Sequence, residues 1–107
     1  NFEKDGDIYK VKTFKEITKL ERNGLFVYES VPGTAVMDFE ETADTVTFTV
    51  EGPEDAQITL GLEEETEYEI DIAGAVAGTM KTNLGGKLSL SGELEGVDSV
   101  DIKVSRK

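Results

Sequence analysis

Cysteine, histidine and tryptophan are all missing from this chain of 107 residues. Without cysteine there can be no disulfide, thiolate metal site or thiol nucleophile. Without histidine the Ser-His-Asp and Cys-His arrangements, imidazole acid-base chemistry and ordinary zinc sites are excluded. Proline is scarce, at two residues, and no apolar run approaches the ~20 residues of a membrane-spanning helix. The chain begins at Asn1 with neither Met nor a signal-like apolar segment, so it is expected to be a mature or excised piece of something longer.

Positive charge is missing from the middle of the chain. The net charge is −12, and residues 23–80 hold fourteen acidic side chains and no Lys or Arg. Phosphate binding needs cations that displace counterions, so nucleic acid is excluded as a partner, and an anionic membrane surface is disfavoured for the same reason. The acidic middle reads either as a solvated surface or as a face for a cation or a basic protein.

What is present is strand pattern. In TVTFTV (45–50), Val46, Phe48 and Val50 alternate with threonines. Ile58, Leu60 and Leu62 repeat the period, as do Tyr68, Ile70 and Ile72, then Leu88 and Leu90, then Val100, Ile102 and Val104. Such alternation marks strands with one buried face. Asn23-Gly24, Pro32-Gly33, Gly52-Pro53 and Gly85-Gly86 are turn signals between them.

Residues 14–22 read two ways. Asn23-Gly24 suits a hairpin, whereas Thr13 with Glu16 forms a capping box ahead of Phe14, Ile17 and Leu20 at helical spacing. The β-rich surroundings favour the hairpin. The expected fold is therefore all-β: an antiparallel β-sandwich, immunoglobulin- or fibronectin-like, of eight or nine short strands with at most one short helix near 14–22. Residues 1–6, polar but for Phe2, are expected to be a flexible linker, and 7–107 a single domain.

The segment 46–94 carries a strand ending in Tyr68, Ile70 and Ile72, followed by Gly78-Thr79, Thr82-Asn83, Gly86, Leu88 and Leu90. This pattern resembles the small C-terminal β-sandwich modules of secreted microbial polysaccharide lyases and other carbohydrate-active proteins. The resemblance covers under half of the chain. It implies a non-catalytic accessory module of a larger secreted or cell-surface protein, structural in role with weak glycan binding, and no enzyme in its own right. Its partners would be neighbouring domains of the parent chain and polysaccharide. An adhesion or protein-interaction module with an acidic face is the alternative.

Three sets of residues are candidates for a site. With Leu25 and Val27 facing the core, Phe26 and Tyr28 would face out, with Tyr9 nearby, as an aromatic platform for sugar rings. Calcium, which takes clustered carboxylate and carbonyl oxygens, could be held by Glu3, Asp5 and Asp7 around Gly6, or by Glu63, Glu64 and Glu65, although neither set has EF-hand spacing. Asp38, Glu40, Glu41 and Asp44 are the best acids for paired-carboxylate chemistry, but lie on expected exposed faces and loops.

Overall fold

Asn23 and Gly24 have φ of 52° and 80°, the two positive values that a type I′ hairpin demands. They join β3 (Thr18–Arg22) to β4 (Leu25–Val31), which settles 18–22 as strand. The computed structural model describes the backbone of residues 2–4, 6–13 and 16–107, and the side chains of 6, 8 and 16–107. No helix occurs among the described residues, and so none that is long and apolar enough to cross a membrane. The helical alternative for 14–22 fails over the described residues 16–22, because Thr18 and Leu20 point into a core two residues apart, which is the strand period.

The remaining strands are β1 (Phe2–Lys4), β2 (Asp7–Thr13), β5 (Ala35–Glu41), β6 (Thr45–Glu51), β7 (Ala56–Gly61), β8 (Glu67–Ile72), β9 (Ala75–Lys81), β10 (Lys87–Gly92) and β11 (Val100–Arg106). They form two antiparallel sheets, ordered β1-β2-β3-β4-β7-β10 and β5-β6-β11-β8-β9. The nine strands from β3 onward make the expected β-sandwich, and β1 and β2 widen its first sheet. Residues 2–4, expected to lie in a linker, instead pair with β2 across a turn in which Gly6 has φ 83°. The positive φ of Gly6 is one that glycine adopts without steric cost, and the turn it allows outweighs the polar composition.

The core lies where the alternating apolar residues of both sheets meet. Val46, Phe48 and Val50 of β6, Ile70 of β8, and Ile102 and Val104 of β11 line the inner face of the second sheet and meet Ile58 and Leu60 of β7 and Leu88 and Leu90 of β10 from the first, all buried. At about 25 cal/mol per Å² of apolar surface removed from water, each such side chain contributes on the order of 1.5–3 kcal/mol. Tyr28 meets Phe48 edge-on at 5.4 Å between ring centres, and Phe39 stacks on Phe48 at 5.9 Å.

One irregularity decides which way β4 presents its aromatics. Leu20 pairs with Tyr28 but Glu21 pairs with Phe26, so Val27 is an extra residue in β4, a β-bulge. Alternation breaks there: Val27 and Tyr28 are both buried, Phe26 is half-buried and Leu25 exposed. The expected outward-facing Tyr28 is thus overturned. Its side chain is 0% exposed, because the bulge shifts every later residue of the strand by one face.

Candidate functional site

The outer face of the first sheet is built from rows of paired residues running across β4, β7 and β10. Glu29 pairs with Thr59 and Thr59 with Ser89; Val31 pairs with Gln57 and Gln57 with Ser91. The hydroxyls of Thr59 and Ser89 lie 3.2 Å apart, and Ser91 Oγ donates to Gln57 Oε1 at 3.3 Å. These four side chains are small or amidic, uncharged and at least partly exposed, because their neighbours Ile58, Leu60, Leu88 and Leu90 take the core positions.

The next row towards the end of the sandwich holds Phe26, Gly61 and Lys87. Gly61 pairs with Lys87 on β10, and a Cβ on Gly61 would stand 2.3 Å from the Phe26 carbonyl oxygen and 2.8 Å from its Cδ1. Phe26 therefore lies across the bare backbone of Gly61, on the same outward face as Thr59. The Lys87 ammonium sits 5.2 Å from the Phe26 ring centre, within cation–π range.

Beside this row the sandwich opens into a cleft of about 700 Å³. Leu25, Phe26, Leu62 and Tyr68 supply its apolar surface, and Arg22 and Glu41 bridge the two sheets across it. Arg22 follows Thr18 and Leu20 on the inward face of β3, which is how it reaches Glu41 on β5 of the opposite sheet. Leu25, 67% exposed, extends the apolar rim.

Of the expected aromatic platform only Phe26 has its place here. The Tyr28 hydroxyl is inside, 2.8 Å from Thr34 Oγ1, and burial pushes its phenol above the ordinary value of 10.0, against the lowering effect of hydrogen bonds to Thr34 and Ser30. The Tyr9 side chain lies outside the described residues; its backbone pairs with Arg22.

The calcium candidates divide likewise. Asp5 and the side chains of Glu3 and Asp7 lie outside the described residues. Glu63, Glu64 and Glu65 are exposed in the loop between β7 and β8, and the carbonyls there already have donors: Thr82 Oγ1 reaches Glu63 O at 2.5 Å and Thr66 Oγ1 reaches Glu64 O at 2.9 Å. Among the described residues no group of three or more acidic side chains is placed to hold a metal ion.

The four acids considered for chemistry are split between two places, Asp38 with Glu40 and Glu41 with Asp44. Asp38 and Glu40 border a shallow depression on the outer face of the second sheet, with Asp71, Asp101 and Lys103. Glu41 is tied to Arg22 at the end cleft, and Asp44 sits in the turn before β6. Sequence reasoning missed Gln57, Thr59, Ser89, Ser91 and Lys87. The polar positions of β7 and β10 were legible in the alternation, but their convergence on Phe26 needed the strand order.

Comparison with protein-family models, with curated proteins and with solved structures returns no match for this chain.

Proposed function

We propose that this chain is a non-catalytic accessory β-sandwich module of a larger secreted or cell-surface carbohydrate-active protein, and that it binds a neutral glycan weakly along the outer face of β4, β7 and β10. The observation that carries this reading is the uncharged hydroxyl and amide row of Gln57, Thr59, Ser89 and Ser91 leading to the half-exposed ring of Phe26. Hydroxyls and amides match the donor and acceptor pattern of sugar hydroxyls, and an aromatic face fits the apolar side of a pyranose. A net charge of −12 disfavours a polyanionic glycan. With one aromatic and no deep enclosure on this face, the affinity is expected to be low and the structural role of the module dominant.

Affinity electrophoresis through gels containing neutral polysaccharides tests the reading. Retardation by at least one of them, lost in Phe26→Ala and reduced in Gln57→Ala, is the expected result. Uniform absence of retardation across a broad glycan panel would sink it.

The second reading, an adhesion or protein-interaction module, draws on the opposite face, where Glu67, Glu69 and Asp71 on β8 and Asp101 on β11 flank Lys103. A basic protein held there would be released as salt rises through the physiological range. Salt-insensitive capture would speak against it.

A further inference from the structure

The cleft at the end of the sandwich holds two hydrogen-bond donors that the fold leaves over. Tyr68, 5% exposed, is one of its lining residues. Its phenolic oxygen accepts from the Glu63 N–H at 3.2 Å, and among the described residues nothing accepts the phenol's own proton. A phenol carries one donor, and buried donors in folded proteins find partners. The Lys87 ammonium, also at the cleft, lies over the Phe26 ring and forms no ion pair with any carboxylate among the described residues.

The two walls of the cleft come from different sheets. Leu25 and Phe26 stand on the first. On the second, beside Tyr68, is the turn 42–45, where the Thr42 N–H donates to the Thr45 carbonyl at 2.8 Å and the Arg106 N–H to the Asp44 carbonyl at 2.7 Å. That turn is therefore hydrogen-bonded in place before any ligand arrives. Arg22 and Glu41 link the walls. The volume of about 700 Å³ lies within the ~300–1,000 Å³ of small-molecule sites. Phe26 belongs both to the cleft and to the outer hydroxyl face. Along β7, Gln57, Thr59 and Gly61 step towards this end of the sandwich, as do Ser91, Ser89 and Lys87 on β10. A saccharide lying on those side chains reaches the mouth of the cleft at Phe26.

We propose, resting on the glycan reading of the outer face, that the cleft takes the terminal sugar unit of a neutral saccharide whose following units lie along β7 and β10. The Tyr68 hydroxyl and the Lys87 ammonium donate to ring and hydroxyl oxygens of that unit, and Leu25 and Phe26 cover its apolar side. The Arg22–Glu41 link bars a chain from running on between the sheets, so the cleft reads an end and not a mid-chain unit. The module thereby favours cut chains over the uninterrupted polymer.

A panel of neutral polysaccharides, each before and after partial hydrolysis to oligosaccharides, provides the test. Binding to the whole chain is followed by NMR titration of the Phe26 and Tyr68 rings at equal sugar mass. Binding should strengthen on hydrolysis, in proportion to the number of ends made. Tyr68→Phe and Lys87→Met should each weaken oligosaccharide binding about three- to tenfold, the loss of one hydrogen bond. Lys87 is exposed, so Lys87→Met should melt as the wild type does, and its loss of binding reads the contact and not unfolding. Polymer binding that does not strengthen on hydrolysis overturns end recognition and leaves the outer-face reading standing. So does oligosaccharide binding untouched by both variants. Silence of polymers and oligosaccharides alike overturns the glycan reading itself, and this inference with it.

Discussion

The phenolic oxygen of Tyr28 lies 2.8 Å from Oγ1 of Thr34, with both side chains inside the sandwich. The same Thr34 hydroxyl lies 2.8 Å from Ser30 Oγ, while Thr18 Oγ1 donates to the Thr34 carbonyl at 2.8 Å and accepts from its N–H at 2.9 Å. Four polar residues are thus buried as one satisfied cluster, which pins the 32–34 crossover between the sheets onto β3 and β4.

Removing one member of the cluster should cost less than removing its hub. Tyr28→Phe removes the phenolic hydroxyl but leaves Thr34 Oγ1 and Ser30 Oγ bonded to each other, so a loss of about 1 kcal/mol is expected. Thr34→Val has nearly the same shape but strands two buried hydroxyls, for which about 2–4 kcal/mol is expected. Urea unfolding of the two variants checks the order. Equal losses would mean that the cluster is not organised around Thr34.

Alkaline pH should expose the same burial. The Tyr28 phenol ionises above its unfolded value of 10.0 because burial disfavours the anion. A folded pKa raised above the unfolded one contributes stability that is fully present below pH 10 and lost as pH rises through the folded value. Thermal melts from neutral pH upward should show wild-type stability falling beyond pH 10, and Tyr28→Phe falling less steeply. Parallel curves would place the alkaline loss in other groups.

How much of this was legible beforehand follows from where each determinant lies in the chain. The alternation of β6, β7, β8, β10 and β11 is local, and so is the Asn23-Gly24 turn; both could be read directly. The bulge at Val27 could not, because an ordinary valine carries no mark of being an extra residue. It is the core's demand for Tyr28 and Ser30 that selects it. The hydroxyl row reaching Phe26 depends on β4, β7 and β10 being neighbours, although Phe26 and Ser91 stand 65 positions apart in the sequence. Composition identified the acidic middle and strand alternation put Glu67, Glu69 and Asp71 on one face, but only the sheet order brings Asp101 and Lys103 of β11 beside them.

Gly61→Ala should damage both stability and the proposed binding face. The added methyl would stand 2.3 Å from the Phe26 carbonyl oxygen, so β4 and β7 must separate or Phe26 must move. Overpacking of this kind costs typically about 1–3 kcal/mol. A lower melting temperature is expected, together with changed shifts of the Phe26 ring and the Lys87 methylenes in NMR spectra. A variant as stable as wild type, with Phe26 unmoved, would contradict the close packing of ring on backbone.

The last expectation concerns Asp55, which acts over a long range for a surface carboxylate. Its Oδ1 accepts from the N–H of Leu94 at 2.9 Å and of Glu95 at 3.0 Å, tying the turn before β7 to the segment between β10 and β11. Leu94 is fully buried, and a Cβ on Gly52 would lie 3.4 Å from its Cδ1, so the carboxylate fixes the backbone on either side of an apolar plug. Hydrogen bonds to a charged acceptor contribute about 1.5–3 kcal/mol in favourable cases, less where the group is exposed as here. Asp55→Ala should therefore lower stability by about 1–2 kcal/mol. Asp55→Asn keeps an acceptor oxygen at the same place and should recover most of that loss. Hydrogen exchange reads the mechanism directly. The Leu94 and Glu95 amides should lose protection in the alanine variant and keep most of it in the asparagine variant, while the β6 and β11 amides stay unchanged. Protection that survives in Asp55→Ala would show that burial of Leu94 alone holds this segment in place.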